Sequence, residues 1–177
     1  MATLTSNIPV ERVKHSRIGE VDFNNLQFGT HLADHMLVAV YDNGHWGSPR
    51  VVPFGEIRIT PAMLSLHYGQ AVFEGMKAFR MKSGEINIFR PQKHLLRLNR
   101  SLERMCMPPI PEEMFLSGLK ALVEADERWV PEEDGSSLYI RPLVFATESR
   151  LGVKVSDQYM FVIMTSPVGP YQSKPYR

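Results

Sequence analysis

The sequence predicts an α+β domain, with helices packed on one side of a largely antiparallel sheet. Three observations predict this class. Strand-like runs come first, two stretches of helical periodicity follow, and two further strand-like runs come after them. Short turns that contain glycine separate the early strand runs, and such turns join antiparallel strands. The expected order is therefore three or four strands, two helices and two strands.

The first predicted hairpin follows a polar segment. Residues 1–27 are mixed and polar, and they predict an extended arm. Residues 36–41 are apolar and predict a buried strand, and the Asn43-Gly44 pair just beyond them is a strong hairpin signal. Residues 51–59 resume the strand character until a Thr-Pro pair ends it.

The middle of the chain changes from strand to helix. Residues 76–80 and 86–89 predict a second hairpin around a Lys-Ser-Gly turn. Residues 91–105 then carry apolar side chains at helical spacing, and the proline at position 91 suits a first helical turn. Residues 111–129 predict a second helix, with two glutamates at its positive end.

The last part of the sequence predicts two strands and then a linker. The strands are expected at residues 138–147 and 159–165. Residues 166–177 are rich in proline and lack periodicity, which is typical of a linker, although a simple tail has the same composition. We therefore expect a small α+β domain over residues 28–165, between the arm and the linker.

Composition limits the classes of function. Hydrophobic residues make up 44% of the 177 residues and charged residues 22%, which are ordinary values for a soluble globular protein. A formal net charge of +1 gives no electrostatic reason to expect nucleic acid or a membrane surface as a partner. The single cysteine, Cys106, cannot form an internal disulfide, and no apolar run resembles a signal peptide or membrane span. A cytoplasmic protein is expected.

One predicted strand carries an arginine among apolar residues. Tyr139 and Arg141 share one face of it, because alternate residues of a strand point the same way. Both faces are largely apolar, so the strand is expected to be buried on both sides, where an unpaired charge is costly. The partner of Arg141 is then a ligand carboxylate or an internal acidic residue, unless the strand end is open to water.

Two other patterns are weaker. The first helix has a basic face, formed by Lys93, Arg97, Arg100 and Arg104. Such a face either reaches a phosphate or is simply solvated, and spacing alone does not favour one of the four. His31 and His35 have the spacing of two metal ligands on a helix, but no third ligand is evident and we expect no metal.

Several motifs in order resemble the branched-chain amino-acid aminotransferases, which are fold-type IV enzymes that depend on pyridoxal 5'-phosphate (PLP). The longest is HYGQAVFEGMKAFR at residues 67–80. Similar runs follow it: FRP and its helix from residue 89, SLYIRP at 137–142, LGV at 151–153 and SPVGPY at 166–171. An Asp-His-Met run from residue 34 also fits. The resemblance covers about residues 26 to 172.

The resemblance implies roles for individual residues. Arg97 would bind the phosphate of PLP. The substrate side chain would meet a wall formed by Phe28, Phe73 and Tyr139, with Arg141 beside it in reach of a substrate carboxylate. The active site of the partner subunit in a homodimer would receive Tyr68 and the loop of Leu151, Gly152 and Val153. The substrates implied are leucine, isoleucine or valine together with 2-oxoglutarate.

The resemblance also implies what lies outside this sequence. In the family the lysine that forms a Schiff base with PLP belongs to a second, larger domain. None of the seven lysines of this chain stands in that context. We therefore expect no catalytic residue within these 177 residues, and no transamination by them alone.

Two kinds of alternative are weighed against this interpretation. The first comprises other enzymes of the superfamily, a D-amino-acid aminotransferase or an aminodeoxychorismate lyase. The EGMKAF and LYIRP runs disfavour both. The second alternative is a non-catalytic module that binds a ligand and is complete at residue 177.

Overall fold

The computed structural model describes residues 8–170 and shows an α+β fold. Its elements are β1 (His35–Asp42), β2 (His45–Trp46), β3 (Arg50–Pro53), α1 (Leu64–Tyr68), β4 (Ala71–Phe73), β5 (Met76–Arg80), β6 (Ile86–Ile88), α2 (Pro91–Arg104), α3 (Glu112–Ala125), β7 (Ser137–Ala146) and β8 (Tyr159–Val168). The strands form one sheet in the order β2-β1-β8-β7-β5-β6, with β3 also paired to β1 and β4 to β7. All of these pairings are antiparallel. The predicted fold class is confirmed.

Helices α2 and α3 cover one face of this sheet. Their buried side chains include Leu98, Leu102, Phe115 and Leu119, which join a single core with apolar residues of the central strands. Helix α3 approaches β1 closely at Gly118, where a β-carbon would lie 2.8 Å from Leu37 Cδ2. We call this side of the sheet the helix-covered face.

The opposite side of the sheet carries the alternate residues of the same strands. On β7 these are Tyr139, Arg141, Leu143 and Phe145, all only half-buried. The sequence-based expectation that β7 is buried on both sides is therefore wrong, because helices α2 and α3 both cover the other side. We call it the open face.

The two predicted hairpins and both predicted helices are present. The first hairpin turns at Asn43 and Gly44, whose φ angles of 49° and 83° suit a two-residue connection between twisted strands. Helix α3 ends at Ala125, before the predicted residue 129, and a single 3-10 turn follows it at Glu127–Trp129. Asp126 leaves the helical conformation there, and its side chain turns inward to bind His35.

Other boundaries differ from the predictions. Strand β3 ends at Pro53 rather than residue 59, because its partner β1 begins opposite it at His35. Strand β8 continues to Val168, so the first three residues of the predicted linker belong to the sheet. Pro167 is tolerated because β8 pairs only with β7 at that point. The other edge of β8 has no partner strand there, so it needs no N–H donor. Residues 171–177 of the predicted linker lie outside the described residues.

The polar segment before β1 is tied to the domain over its described part, residues 8–27. Val51 exchanges backbone hydrogen bonds with Pro9 and Glu11. Further along, the Asp34 carboxylate accepts bonds from the Ser16 hydroxyl (2.5 Å) and the Arg17 N–H (2.9 Å). In residues 8–170, no helix is long and apolar enough to cross a membrane.

Candidate functional site

Four residues singled out in the sequence come together on the open face. The Arg141 guanidinium lies over the Phe73 ring, 4.4 Å from its centroid, and donates hydrogen bonds of 3.1 and 2.8 Å to the Tyr139 hydroxyl. Phe28 meets the Tyr139 ring edge-on, with the ring centroids 5.0 Å apart. Phe28 and Phe73 remain mostly exposed. The result is an apolar, aromatic surface with one fixed cation.

The partner of Arg141 among the described residues is not an acid. Its contacts are the Tyr139 hydroxyl and two aromatic rings, and no carboxylate of residues 8–170 forms an ion pair with it. The alternative that Arg141 pairs with an internal acidic residue is therefore excluded for the described residues. A half-exposed guanidinium held by a hydroxyl and stacked on a ring remains able to bind a carboxylate.

Gly75 is necessary for the position of Tyr139. A β-carbon at residue 75 would overlap the Tyr139 hydroxyl oxygen and would lie 3.0 Å from its Cζ. Only glycine leaves that space, because every other residue carries the β-carbon. The Tyr139 hydroxyl can therefore occupy its position beside Arg141 only because residue 75 has no side chain.

Glu74, between Phe73 and Gly75, points away from the open face and binds helix α2. Glu74 is 5% exposed, and its backbone N–H donates to the Pro142 carbonyl oxygen (2.9 Å) on β7. Its carboxylate accepts two hydrogen bonds from Arg97 of α2, one from Nε and one from Nη2 (2.6 Å). The Nδ1 atom of His94 lies 3.2 Å from the same carboxylate.

The charges of this cluster stabilise one another. Burial would raise the pKa of Glu74, but hydrogen bonds from Arg97, His94 and the Gly75 N–H outweigh it and hold that pKa below its ordinary value. The Glu74 carboxylate in turn raises the pKa of Arg97. The Arg97 side chain is nevertheless 65% exposed, so much of its guanidinium faces away from the domain.

The pairing with Glu74 distinguishes Arg97 from the other basic residues of α2, which spacing alone could not do. Neither Glu74 nor His94 was predicted from the sequence as a site residue. The only signal was that Glu74 alternates with the apolar residues Val72 and Met76, which places an acidic side chain on the apolar side of a strand-like run. The remaining basic residues of the helix are exposed: Lys93, Arg100 and Arg104.

Tyr68 and the loop of Leu151, Gly152 and Val153 form a second cluster. The Tyr68 hydroxyl donates to the Leu151 carbonyl oxygen at 2.5 Å. Tyr68 is the last residue of α1, and the following Gly69 has a left-handed φ of 67°. Leu151 and Val153 expose 69% and 79% of their surface, so this loop projects from the domain.

His31 and His35 do not share a helix face, because residues 31–34 are irregular and His35 begins β1. Both ring nitrogens of His35 are engaged within the protein. Its Nδ1 lies 2.6 Å from the Asp126 carboxylate, and its Nε2 accepts a bond from the Val13 N–H (3.1 Å). Burial raises the pKa of Asp126, and the hydrogen bonds from His35 oppose that effect. This pair joins the N-terminal segment, β1 and the end of α3.

Comparison with known proteins places this arrangement in a family. Residues 71–177, more than half of the chain, match the model of the amino-transferase class IV family. The chain belongs to this family. Within it, the chain is 50% identical over 161 residues to branched-chain-amino-acid transaminase 1 of Bacillus subtilis (strain 168), and 44% identical over 150 residues to a branched-chain-amino-acid aminotransferase of Mycolicibacterium smegmatis.

These class IV relatives are longer than the chain. The matches cover 88% and 83% of this chain but 45% and 40% of those two proteins, so the chain spans less than half of their length. A solved branched-chain aminotransferase from Thermoproteus uzoniensis, with norvaline, has a TM-score of 0.57 at 26% identity, and the match covers 76% of this chain and 41% of that one. A solved T.th. branched-chain aminotransferase, with pyridoxamine 5'-phosphate, has a TM-score of 0.59 at 26% identity, with 77% and 41% covered. The predicted family resemblance is confirmed.

Proposed function

We propose that this chain is part of a PLP-dependent aminotransferase that moves an amino group between a branched-chain L-amino acid and 2-oxoglutarate. The observation that carries the proposal is the segment Phe73-Glu74-Gly75. Its three consecutive residues contact Arg141, Arg97 and Tyr139 in turn, so one short segment organises an aromatic surface and two arginines. The relatives named above as branched-chain aminotransferases support the choice of substrate.

The described residues fit a phosphate-bearing cofactor. Nε and Nη2 of Arg97 bind Glu74, and its Nη1 has no hydrogen-bond partner among residues 8–170. A guanidinium has five N–H donors in a planar fork, and this fork matches a phosphate group well. Arg97 would therefore hold the phosphate of PLP. When bound, PLP supplies the electron sink that amino transfer requires.

The substrate residues proposed are Phe28, Phe73, Tyr139 and Arg141. An apolar wall suits leucine, isoleucine or valine, because burying their side chains against aromatic rings removes apolar surface from water. Arg141, fixed by the Tyr139 hydroxyl, would bind a substrate carboxylate through the remaining edge of its guanidinium. Selectivity among the three amino acids should be modest, since one methylene is worth only about 1–3 kcal/mol in an apolar pocket.

We further propose the arrangement of the whole protein. Residues 28–168 would form its small domain, with the linker beginning after β8, and a larger domain would supply the lysine that holds PLP. In a homodimer the projecting loop of Leu151, Gly152 and Val153, together with Tyr68, would reach the active site of the partner subunit. A cytoplasmic location is proposed as well. The relatives' greater length supports the larger domain, and the exposure of this loop supports its contact with a partner subunit.

The test is an activity assay of the protein in its native, full-length form. With PLP and 2-oxoglutarate, we expect turnover of L-leucine, L-isoleucine and L-valine, measured as glutamate formed. D-Alanine should give none. Turnover of D-alanine alone would contradict the proposal and favour a D-amino-acid aminotransferase. A protein that binds no PLP and turns over neither would favour the non-catalytic module.

A further inference from the structure

We propose that Glu74 is a positioning residue that orients Arg97 for the phosphate of the cofactor, an inference that rests on the proposed function. A long arginine side chain on an exposed helix face would normally sample many conformations. Here a buried carboxylate from a neighbouring segment binds it at two points, which fixes the plane of the guanidinium before any ligand arrives.

The two nitrogen atoms of Arg97 that bind Glu74 determine which N–H donors of Arg97 remain for a ligand. Glu74 takes the edge formed by Nε and Nη2, so the remaining donors are both N–H groups of Nη1 and the second N–H of Nη2. Nη1 and Nη2 form the outer edge of the fork, which is the edge that binds two oxygens of one phosphate. The contact with Glu74 therefore directs this outer edge away from the buried carboxylate.

The carboxylate is itself held in place. Besides Arg97, it accepts the Gly75 N–H (3.2 Å) and lies 3.2 Å from His94 Nδ1. The backbone of Glu74 is bonded to Pro142, next to Arg141 on β7. Because the same strand carries Tyr139 and Arg141, Glu74 sets the position of the phosphate-binding arginine relative to the substrate-binding residues.

The experiment compares two ligands that differ only in the phosphate. Dissociation constants of PLP and of pyridoxal are measured for the full-length protein freed of cofactor, by cofactor absorbance. Glu74→Gln removes the charge and places an amide N–H₂ against donors of Arg97 or His94. We expect PLP to bind about tenfold more weakly, the scale of one lost charge-assisted hydrogen bond, and pyridoxal to bind unchanged.

A double-mutant cycle tests whether Glu74 acts through Arg97. Arg97→Gln should weaken PLP binding at least as much as Glu74→Gln, and the double variant should lose no more than Arg97→Gln alone. Glu103→Gln is the matched control, because it removes an exposed carboxylate from α2, the helix that carries Arg97. It should leave both constants unchanged. If Glu74→Gln fails to fold, Glu74→Asp keeps the charge with a shorter reach and should give a smaller loss that is also specific for PLP.

Several outcomes would overturn the inference. An equal loss for PLP and pyridoxal would mean that Glu74 only supports the fold. Tighter PLP binding would mean that Glu74 competes with the phosphate for Arg97, and additive losses in the double variant would mean that it acts independently. A wild-type protein with equal affinity for PLP and pyridoxal would instead overturn the proposed phosphate site, and this inference with it.

Discussion

Alternate residues of β7 lie on opposite faces of the sheet, and the two sets have different surroundings. Leu138, Ile140 and Val144 point to the helix-covered face and are fully buried. Tyr139 and Arg141 point to the open face and are half-buried, with aromatic rings and a hydroxyl as their contacts. One strand thus contributes to the packed core with half of its residues and to a binding surface with the other half. Substitutions on the two faces should therefore have separable effects.

The largest effect on stability is expected on the helix-covered face. Ile140→Ala should lower the free energy of unfolding by about 2–5 kcal/mol, because it leaves a cavity in a packed core. The matched change on the open face, Leu143→Ala, should cost less, since Leu143 is half-buried. Urea unfolding of the 177-residue chain, followed by tryptophan fluorescence, measures both, because Trp129 is buried in the core. Equal losses would contradict the difference between the faces.

The next largest effect on stability is expected at the buried pair of His35 and Asp126, beneath the N-terminal segment. Asp126→Ala leaves His35 Nδ1 and the His35 N–H without their buried acceptor, which should cost about 1–3 kcal/mol. Asp134→Ala removes an exposed carboxylate from the following turn and should be nearly neutral. The same urea experiment compares them. A neutral Asp126→Ala would show that the pair does not stabilise the domain.

A smaller effect on stability, but a clear effect on the site, is expected from Gly75→Ala. The added methyl must displace the ring tip of Tyr139, which is half-buried on the open face rather than packed in the core, so the cost should be about 1 kcal/mol. Turnover of L-leucine by the full-length protein should fall markedly, since Arg141 loses its orientation. Gly55→Ala, where a β-carbon meets no atom within 4 Å, is the control. Unchanged turnover in Gly75→Ala would remove Tyr139 from the proposed site.

The smallest effect on stability is expected at Glu74, and it should appear only at acidic pH. The pKa of Glu74 is lowered from 4.5 in the folded state, so its unfolded form binds a proton first as the pH falls. The stability it contributes is fully present above about pH 4.5 and is lost as the pH falls through its lower folded pKa. Urea midpoints measured against pH should therefore fall more steeply in acid for the wild type than for Glu74→Gln. Parallel curves would contradict the assigned ionisation of Glu74.

Local periodicity was enough to predict most of the fold. The first hairpin followed from one Asn-Gly pair, and α2 followed from its apolar stripe of Leu95, Leu98 and Leu102. Helix α1 and strand β4 were not predicted, because five and three residues are too short to show a period. The end of β8 was misplaced because Pro167 was taken as a sign of the linker, although it pairs with Leu138 inside the sheet.

The site was predicted only in part, for a different reason. Tyr139 and Arg141 share a face by simple alternation, so the sequence showed that they belong together. Glu74 and Arg97 are 23 residues apart, and His35 and Asp126 are 91 apart, so these contacts exist only once the strands and helices pack. The roles of Phe28, Phe73 and Arg97 came from the family resemblance rather than from spacing, and they remain proposals to be tested.

We propose that the open face belongs to a PLP enzyme whose lysine lies outside these residues. The most direct measurement is borohydride reduction of the protein from its native source, followed by intact mass and peptide mapping. We expect a mass well above the 20.2 kDa of this chain, with one reduced PLP on a lysine that is not among its seven. A protein of 20.2 kDa without PLP, or PLP attached to a lysine of residues 1–177, would contradict it.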